Sequence, residues 1–279
     1  MTDSTAYLPD ELVAKYGIQV VPLEVVIAGH AYDETTDADT GKLADALRRH
    51  LPVTTSRPGP EAFARVYAAA AERGCRSVVS VHLSADMSGT VESAQLAAEA
   101  AAIPVYVVDS RALGLALGFA AISAAQVALR GGEADEVAAA AQARSAATSS
   151  YFYVDTLEYL RRGGRIGAAR ALIGSALAVK PLLHIDDGRI ALFEKVRTST
   201  KAILRLEEVA VACAGAAAVD IAVHHLASMG RAEALAARLR RRLPELRDLY
   251  VREVGAVVGA HVGPGMLGVV IAGHLDAAQ

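Results

Sequence analysis

The chain of 279 residues contains no tryptophan, and aromatic residues make up only 5% of it. This scarcity argues against an aromatic platform on which nucleic-acid bases could stack. Cysteine is equally sparse, since Cys75 and Cys213 are the only two. Two cysteines without a Cys-x-x-Cys pair cannot form a disulfide framework. We therefore expect free thiols in a reducing, cytoplasmic compartment.

An excess of charge of either sign is also missing, because the formal net charge is only −3. This balance argues against a mainly electrostatic binder of DNA or RNA. The basic run at 238–242 ends a predicted helix and is interpreted as a solvated face. The N-terminal sequence lacks a charged leader followed by an apolar run, so we expect no signal peptide. The most apolar stretch, Leu113–Leu129, is too short to span a membrane and predicts a buried helix.

Several sequence motifs of enzymes and metal sites are absent. There is no Walker A motif, no His-Glu-x-x-His and no Gly-x-Ser-x-Gly. The segment "GPGMLG" (263–268) matches Gly-x-Gly-x-x-Gly, but the sequence after it leaves no room for a βαβ unit. The histidines lack zinc-like spacing, and the adjacent His224 and His225 are expected to be one packed and one exposed. We expect neither a metal nor a cofactor.

What the sequence does contain is an alternation of Val/Ile-rich runs with Ala-rich helical patterns. Buried strands alternating with crossover helices predict a parallel sheet with helices on both faces. The predicted strands are 18–27, 77–82 and 104–110, and the predicted helices are 60–73, 88–102, 114–130 and 133–147.

The pattern changes near Tyr151, which suggests a second domain with a mixed sheet. A strand at "YFYVD" and a short helix ending at Gly163-Gly164 precede a hairpin that turns at Asp187-Gly188. The fold class is therefore α/β with two domains, 1–150 and 151–279. Further helices are predicted at 199–213 and 230–243, and further strands at 219–225, 248–254 and 267–272.

The stretch "LSADMSGTVESA" places Ser88, Gly89 and Thr90 between a predicted strand and a predicted helix. One hydroxyl there could simply cap the helix, which is worth about 1 kcal/mol. Alternatively, two hydroxyls, a glycine and the positive end of a helix suit a carboxylate or phosphate. Both interpretations are open at this point.

Other small polar clusters have the same two interpretations. Several hydroxyls, one arginine and one histidine, without an aligned base or metal set, suggest a polar clamp rather than a reaction centre. These clusters are "DSTA" near the start, Thr54-Thr55-Ser56, Arg165 after the double glycine, and His261 before Gly263-Pro264-Gly265.

In this order, the segments resemble the DegV family of bacterial fatty-acid-binding proteins. The resemblance covers essentially the whole chain, and its motifs are specific in combination. The matching segments are "DSTAYLP", "VVPLEV", "VTTSRPGP", "MSGTVESA", "VYVVDS", "YFYVDTLEYLRRGGRIG", "KPLLHIDDGRI" and "HVGPGMLG".

The resemblance implies a two-domain α/β fold with one long-chain fatty acid between the domains. It places the carboxylate near Thr55-Ser56 and Ser88-Gly89-Thr90, with Arg165 and His261 bordering the polar end. Family members that serve fatty acid kinase present the acid to a separate ATP-using subunit, and the acyl phosphate feeds phospholipid synthesis. The expected partners are thus a fatty acid, a kinase catalytic subunit and, at most transiently, a membrane surface.

The sequence departs from the family pattern in three places. Only Met1-Thr2 precedes the Asp-Ser-Thr motif, where the family has a strand, so the start is either misassigned or clipped. Arg57 stands where glutamine is usual, so the rim of the site is expected to differ. Met87 replaces a leucine, which is a mild change.

Two independent arguments bear on the choice between carrier and enzyme. A buried carboxylate needs several donors, and an acyl chain needs an apolar tunnel, which a chain rich in Ala, Val and Leu can form. The alternative is a serine hydrolase with Ser88, His261 and Asp109 as its triad. The missing nucleophile elbow and the redundant hydroxyls count against that alternative.

Overall fold

The computed structural model of the chain describes residues 1–172 and 180–274. In chain order, the strands β1–β13 of this part are Thr2–Asp3, Val20–Val21, Glu24–Ile27, His30–Asp33, Val53–Ser56, Val78–His82, Val105–Asp109, Thr148–Tyr153, Lys180–Asp186, Arg189–Val196, Val219–His225, Leu246–Glu253 and Leu267–Gly273. The helices α1–α10 are Asp10–Tyr16, Thr40–Arg48, Pro60–Glu72, Thr90–Ala98, Leu115–Leu129, Ala134–Ala146, Glu158–Arg162, Ser199–Ala214, Met229–Arg242 and Ala256–Val262.

The first half of the chain forms a small parallel layer. Strand β1 pairs with β2 and β6 pairs with β7, both in parallel. The amide of Val81 donates to the Met1 carbonyl at 3.0 Å, which joins the two pairs. Apolar side chains of α5 and α6 pack on one face and those of α3 and α4 on the other. The predicted parallel sheet with helices on both faces is confirmed.

The second half forms a six-stranded mixed sheet in the order β10-β9-β8-β13-β11-β12. Only β11 and β12 run parallel; the other neighbours are antiparallel. The predicted hairpin is confirmed, because Asp186 pairs with Arg189 around Asp187 and Gly188. Both turn residues have positive φ, 44° and 80°, as a tight two-residue hairpin requires. Helices α8 and α9 bury one face of this sheet.

A third sheet, β4-β3-β5, projects from the first half and was largely missed by sequence reasoning. The prediction of one strand over 18–27 is wrong, since Pro22 separates β2 from β3. Proline lacks an amide donor and interrupts a ladder. The sheet packs with α2 against α10 through Val25, Leu43 and Ala260. In this way it connects the two halves.

Other expectations also need correction. Helix α4 is shorter than the predicted 88–102, beginning at Thr90 and ending at Ala98. His224 and His225 are both buried, at 4% and 1% exposure, so the expectation that one is exposed is wrong. Their strand β11 is covered on both faces, because α9 packs on one and α5 lies near the other.

Four smaller expectations have clear outcomes. Both cysteines are unpaired and exposed. The apolar helix predicted from Leu113–Leu129 is α5, and most of its residues are buried. No helix within residues 1–172 and 180–274 has the length and apolar character needed to cross a bilayer. The basic run at the end of α9 is only partly solvated, because Arg238 and Arg242 both pair with the buried Glu207.

Candidate functional site

A cavity of about 480 Å³ lies where the two halves and the three-stranded sheet meet. Its walls come from the end of β5, the turn before α4, the start of α5, helix α10 and one face of the six-stranded sheet. Most of the wall is hydrocarbon, and polar groups cluster in a few places. An apolar cavity with a few convergent polar groups is the usual form of a small-molecule site.

Two hydroxyl-bearing segments of the first half border the cavity. Thr55 and Ser56 end strand β5, and Ser88 and Gly89 form the turn before α4. The Ser88 and Thr90 hydroxyls lie 2.9 Å apart, within hydrogen-bond distance. Neither hydroxyl caps α4, so the helix-cap interpretation is wrong. Thr90 is fully buried behind Ser88 and does not line the cavity.

His261 approaches the same region from the second half. Sequence reasoning expected it on a loop, but it lies in the last turn of α10. Its Nε2 is 3.0 Å from the Thr55 hydroxyl. Burial, with a smaller contribution from the charge of Arg165, lowers the pKa of His261 to about 4. The imidazole is therefore neutral near pH 7. Its Nε2 can donate to the Thr55 hydroxyl or accept from it, depending on which ring nitrogen carries the proton.

The ring of His261 is held against Gly163, where a β-carbon would collide with its Nδ1. Gly163 terminates α7, as predicted. Nδ1 is buried and has no hydrogen-bond partner among residues 1–172 and 180–274. The glycine is thus needed for the close approach of the imidazole rather than for an unusual backbone conformation.

Arg165 bridges the two halves at the edge of the cavity. Its Nε donates to the carbonyl of Met87 at 3.1 Å, and its Nη1 donates to the carbonyl of Gly163 at 2.7 Å. The guanidinium stays exposed. It therefore places a permanent positive charge beside the Ser88 turn.

Arg57 also lies at the rim of the site, next to the turn before α4. It pairs with Glu92, and its Nη1 donates to the Gly89 carbonyl at 3.2 Å. The guanidinium lies so close over Gly89 that a β-carbon there would collide with it. Arg57 thus lies over Gly89 at the rim of the cavity, and its exposed side chain would have to move if residue 89 carried a β-carbon.

The rest of the cavity wall is apolar. One face of the six-stranded sheet contributes Phe152, Gly268 and Val270, and α10 contributes Val257 and Val258. His224 also lines this part. Its Nε2 accepts from the Leu115 amide at 2.9 Å, and burial lowers its pKa to about 4. This histidine is consequently a neutral wall residue and a cap for α5.

The structure brings together most of the residues singled out from the sequence. Thr55, Ser56, Ser88, Gly89, Arg165 and His261 all line the one cavity, and Thr90 supports Ser88 from behind.

The serine hydrolase alternative receives no support from these contacts. Ser88 is hydrogen-bonded to Thr90, and His261 to Thr55. Asp109 accepts from the amides of Arg111 and Ala85 at 2.8 and 3.3 Å. In the described part of the chain, no hydrogen bond joins the proposed triad members to one another, and no group of three or more His, Cys, Asp or Glu side chains could hold a metal ion.

Sequence reasoning missed Glu34, which holds α10 in place. Its Oε1 accepts from the Val257 amide at 2.8 Å and from the Tyr7 hydroxyl at 3.0 Å. The Ser4 hydroxyl donates to its other oxygen. Burial raises the pKa of Glu34, although these three donors oppose the shift. The segment "AYDETTD" gave no signal, because its acidic residues resemble an ordinary polar loop.

Three comparisons with known proteins agree with one another. Residues 1–274 match a family described as "Uncharacterised protein, DegV family". A DegV domain-containing protein of Streptomyces coelicolor is 59% identical over 271 residues, which are 97% of this chain and 96% of that protein. Protein DegV of Bacillus subtilis is 36% identical, and the match covers 96% of both chains.

Solved structures of proteins described as fatty-acid-binding have the same fold. A fatty-acid-binding DegV family protein from Thermus thermophilus superposes with a TM-score of 0.92 at 33% identity, covering 98% of both chains. DegV from Bacillus subtilis, described as a fatty acid binding protein, gives a TM-score of 0.89 at 34% identity with the same coverage.

Proposed function

Because this chain belongs to the DegV family, we propose that it binds one long-chain fatty acid in the cavity between its two halves. The carboxylate lies among Thr55, Ser56, Ser88 and Gly89, with Thr90 supporting Ser88. Arg165 and His261 close the polar end from the other half. The two halves, 1–150 and 151–279, act as separate domains that share the ligand.

The observation that carries this proposal is the division of a single cavity into a hydroxyl-rich region and a hydrocarbon wall. A carboxylate buried without donors would be very costly. Hydroxyl donors, with the nearby charge of Arg165, reduce that cost through charge-assisted hydrogen bonds. Each methylene that leaves water for the apolar wall contributes about 0.8 kcal/mol. One amphipathic ligand satisfies both regions.

We further propose that the protein is a carrier rather than a catalyst. Within the described part of the chain, the polar end offers hydrogen bonds and two cations, Arg57 and Arg165, with no assembled nucleophile and base. A carboxylate held near the rim, beside Arg57 and Arg165, suits presentation to a separate kinase subunit that forms the acyl phosphate. Such a product would supply phospholipid synthesis. Titrating purified protein and fatty acid into a fatty acid kinase catalytic subunit with ATP tests this extension separately.

The binding proposal is tested by native mass spectrometry of the purified protein, followed by extraction and identification of its lipid. We expect close to one long-chain fatty acid per chain, because the cavity combines one polar cluster with one apolar wall. Protein that remains free of ligand after incubation with palmitate, stearate and oleate would refute the proposal.

A further inference from the structure

Gly268 stands in the middle of the six-stranded sheet, where glycine is unfavourable. Its strand β13 is paired on both sides, with β8 and with β11. A strand glycine loses more conformational entropy than other residues and contributes no packing. The backbone of Gly268 does not adopt a positive φ, so no turn or left-handed conformation requires glycine. Close approach of another group is the remaining structural reason.

The cavity provides that reason. Gly268 lines it, and so do the residues directly opposite on both neighbouring strands, Phe152 and His224. Residues directly opposite in a sheet share one face. Gly268 therefore leaves a groove in the cavity floor between two ring side chains. A β-carbon there would lie 3.2 Å from both Met266 Cε and Phe152 Cβ, closer than ordinary packing allows.

Gly268 lies midway between Met266 and Val270 in the segment of chain that lines the cavity. Two residues before it, Met266 packs with Leu160 and Val262, beside the helix that carries His261. Two residues after it, Val270 pairs with Ser150, and both line the cavity. Side chains at 266, 268 and 270 point to the same face. A ligand that extends along β13 from the His261 end of α10, beside Met266, to Val270 passes over Gly268.

We propose that Gly268 determines which acyl chains this protein accepts: the absent side chain lets a long chain run along β13 between Phe152 and His224. The inference rests on the proposed fatty acid binding and adds the residue that sets chain length. A larger residue at 268 blocks the passage, and shorter chains that end before it are unaffected.

The test compares Gly268→Val and Gly268→Ala with the wild type and with Gly273→Ala. Gly273 lies in the same strand, but its β-carbon would make only ordinary contacts, at 3.4 Å and beyond, with Ala147. Affinities for laurate, myristate, palmitate and stearate are measured by competition with a fluorescent fatty acid. Overpacking predicts that Gly268→Val weakens stearate binding by about tenfold or more, while laurate changes by less than about twofold.

Gly268→Ala is expected to shift the preference in the same direction by about threefold, and it decides the test if the valine variant does not fold. Gly273→Ala should keep the wild-type profile. The inference about Gly268 is wrong if both variants keep the wild-type chain-length profile, or if they bind all four acids equally weakly. The proposed function still stands in either case, provided that the wild type binds the acids. If the wild type binds none of the acids, the proposed function fails and the inference falls with it.

Discussion

At the scale of single residues, the polar end depends on side chains from both halves that meet in one place. Thr55 and His261 are 206 residues apart in sequence, yet their side chains lie 3.0 Å apart. The sequence singles out Thr55 within a cluster of hydroxyl residues and His261 before a glycine-rich turn. It could not show that they touch, because their contact depends on the packing of α10 against the three-stranded sheet.

We predict that Thr55→Ala and Ser88→Ala each weaken fatty acid binding without unfolding the protein. A hydrogen bond to a charged group is worth about 1.5–3 kcal/mol, so each substitution should cost at least about tenfold in affinity. Thr54→Ala is the matched control, because Thr54 is exposed and does not line the cavity. Isothermal titration with palmitate, alongside thermal unfolding, measures both effects. Wild-type affinity in both variants would remove these hydroxyls from the site.

We predict that the buried His224 lowers the free energy of unfolding as the pH falls. Burial lowers its pKa from 6.5 to about 4 in the folded protein. The unfolded chain therefore binds a proton first as the pH falls below 6.5, and stability falls with it. One such histidine removes about 2 kcal/mol from the free energy of unfolding between about pH 7 and about pH 5.

His224→Gln should reduce this acid-dependent loss, because its amide oxygen can still accept from the Leu115 amide and it does not titrate in this range. The variant should still lose some stability in acid, because burial also lowers the pKa values of His261 and His225. Urea unfolding at both pH values measures the difference, and the exposed His30→Gln serves as the control. An identical pH dependence in wild type and His224→Gln would contradict this role.

At the scale of elements, the alternating strands and helices were well predicted, and the short connecting elements were not. Strands such as Val78–His82 and Val219–His225 are short, largely buried segments rich in β-branched residues, and this pattern can be read without any distant contact. By contrast, α10 has the sequence "AVVGAHV", with three valines and a central glycine, which does not favour a helix. Its geometry depends on contacts from Glu34 and Leu43, far away in the sequence.

We predict that Glu34 positions the polar end through α10. Glu34→Ala removes the acceptor for Val257 and Tyr7, which should destabilise the protein by about 1–3 kcal/mol and weaken fatty acid binding. Glu34→Gln retains an acceptor and should restore most of the affinity. A fatty alcohol of the same chain length is the diagnostic ligand, because it lacks the carboxylate. If Glu34→Ala weakens the acid and the alcohol equally, Glu34 affects the fold and does not position the head-group residues.

At the scale of the whole molecule, the cavity exists because the two halves are fastened together around it. Arg165 crosses from one half to the Met87 carbonyl. The buried Ser84 hydroxyl donates to the Gly188 carbonyl at 2.7 Å, and Asp86 pairs with Arg189 at 2.7 Å. These contacts hold the β9–β10 hairpin against the first half. The wall residues Ile185 and Ile190 of that hairpin are thereby kept in place.

The family resemblance placed the ligand between the halves, but residue patterns alone could not show the shape of the space. Periodicity predicts which face of a strand is buried and leaves open whether a side chain or a ligand covers it. Gly268 illustrates the difference. In sequence it ends the "GPGMLG" match to Gly-x-Gly-x-x-Gly and lies in the predicted strand 267–272, whereas in the structure it is a gap in the floor of the cavity.

The most direct test of the central claim is a crystal structure of the protein grown with palmitate. We predict carboxylate oxygens within about 3 Å of the Thr55 and Ser88 hydroxyls. We also predict an acyl chain that passes over Gly268 towards Val270 and Ser150. A carboxylate bound away from these hydroxyls, or a cavity without palmitate at saturating concentration, would contradict the proposed binding mode.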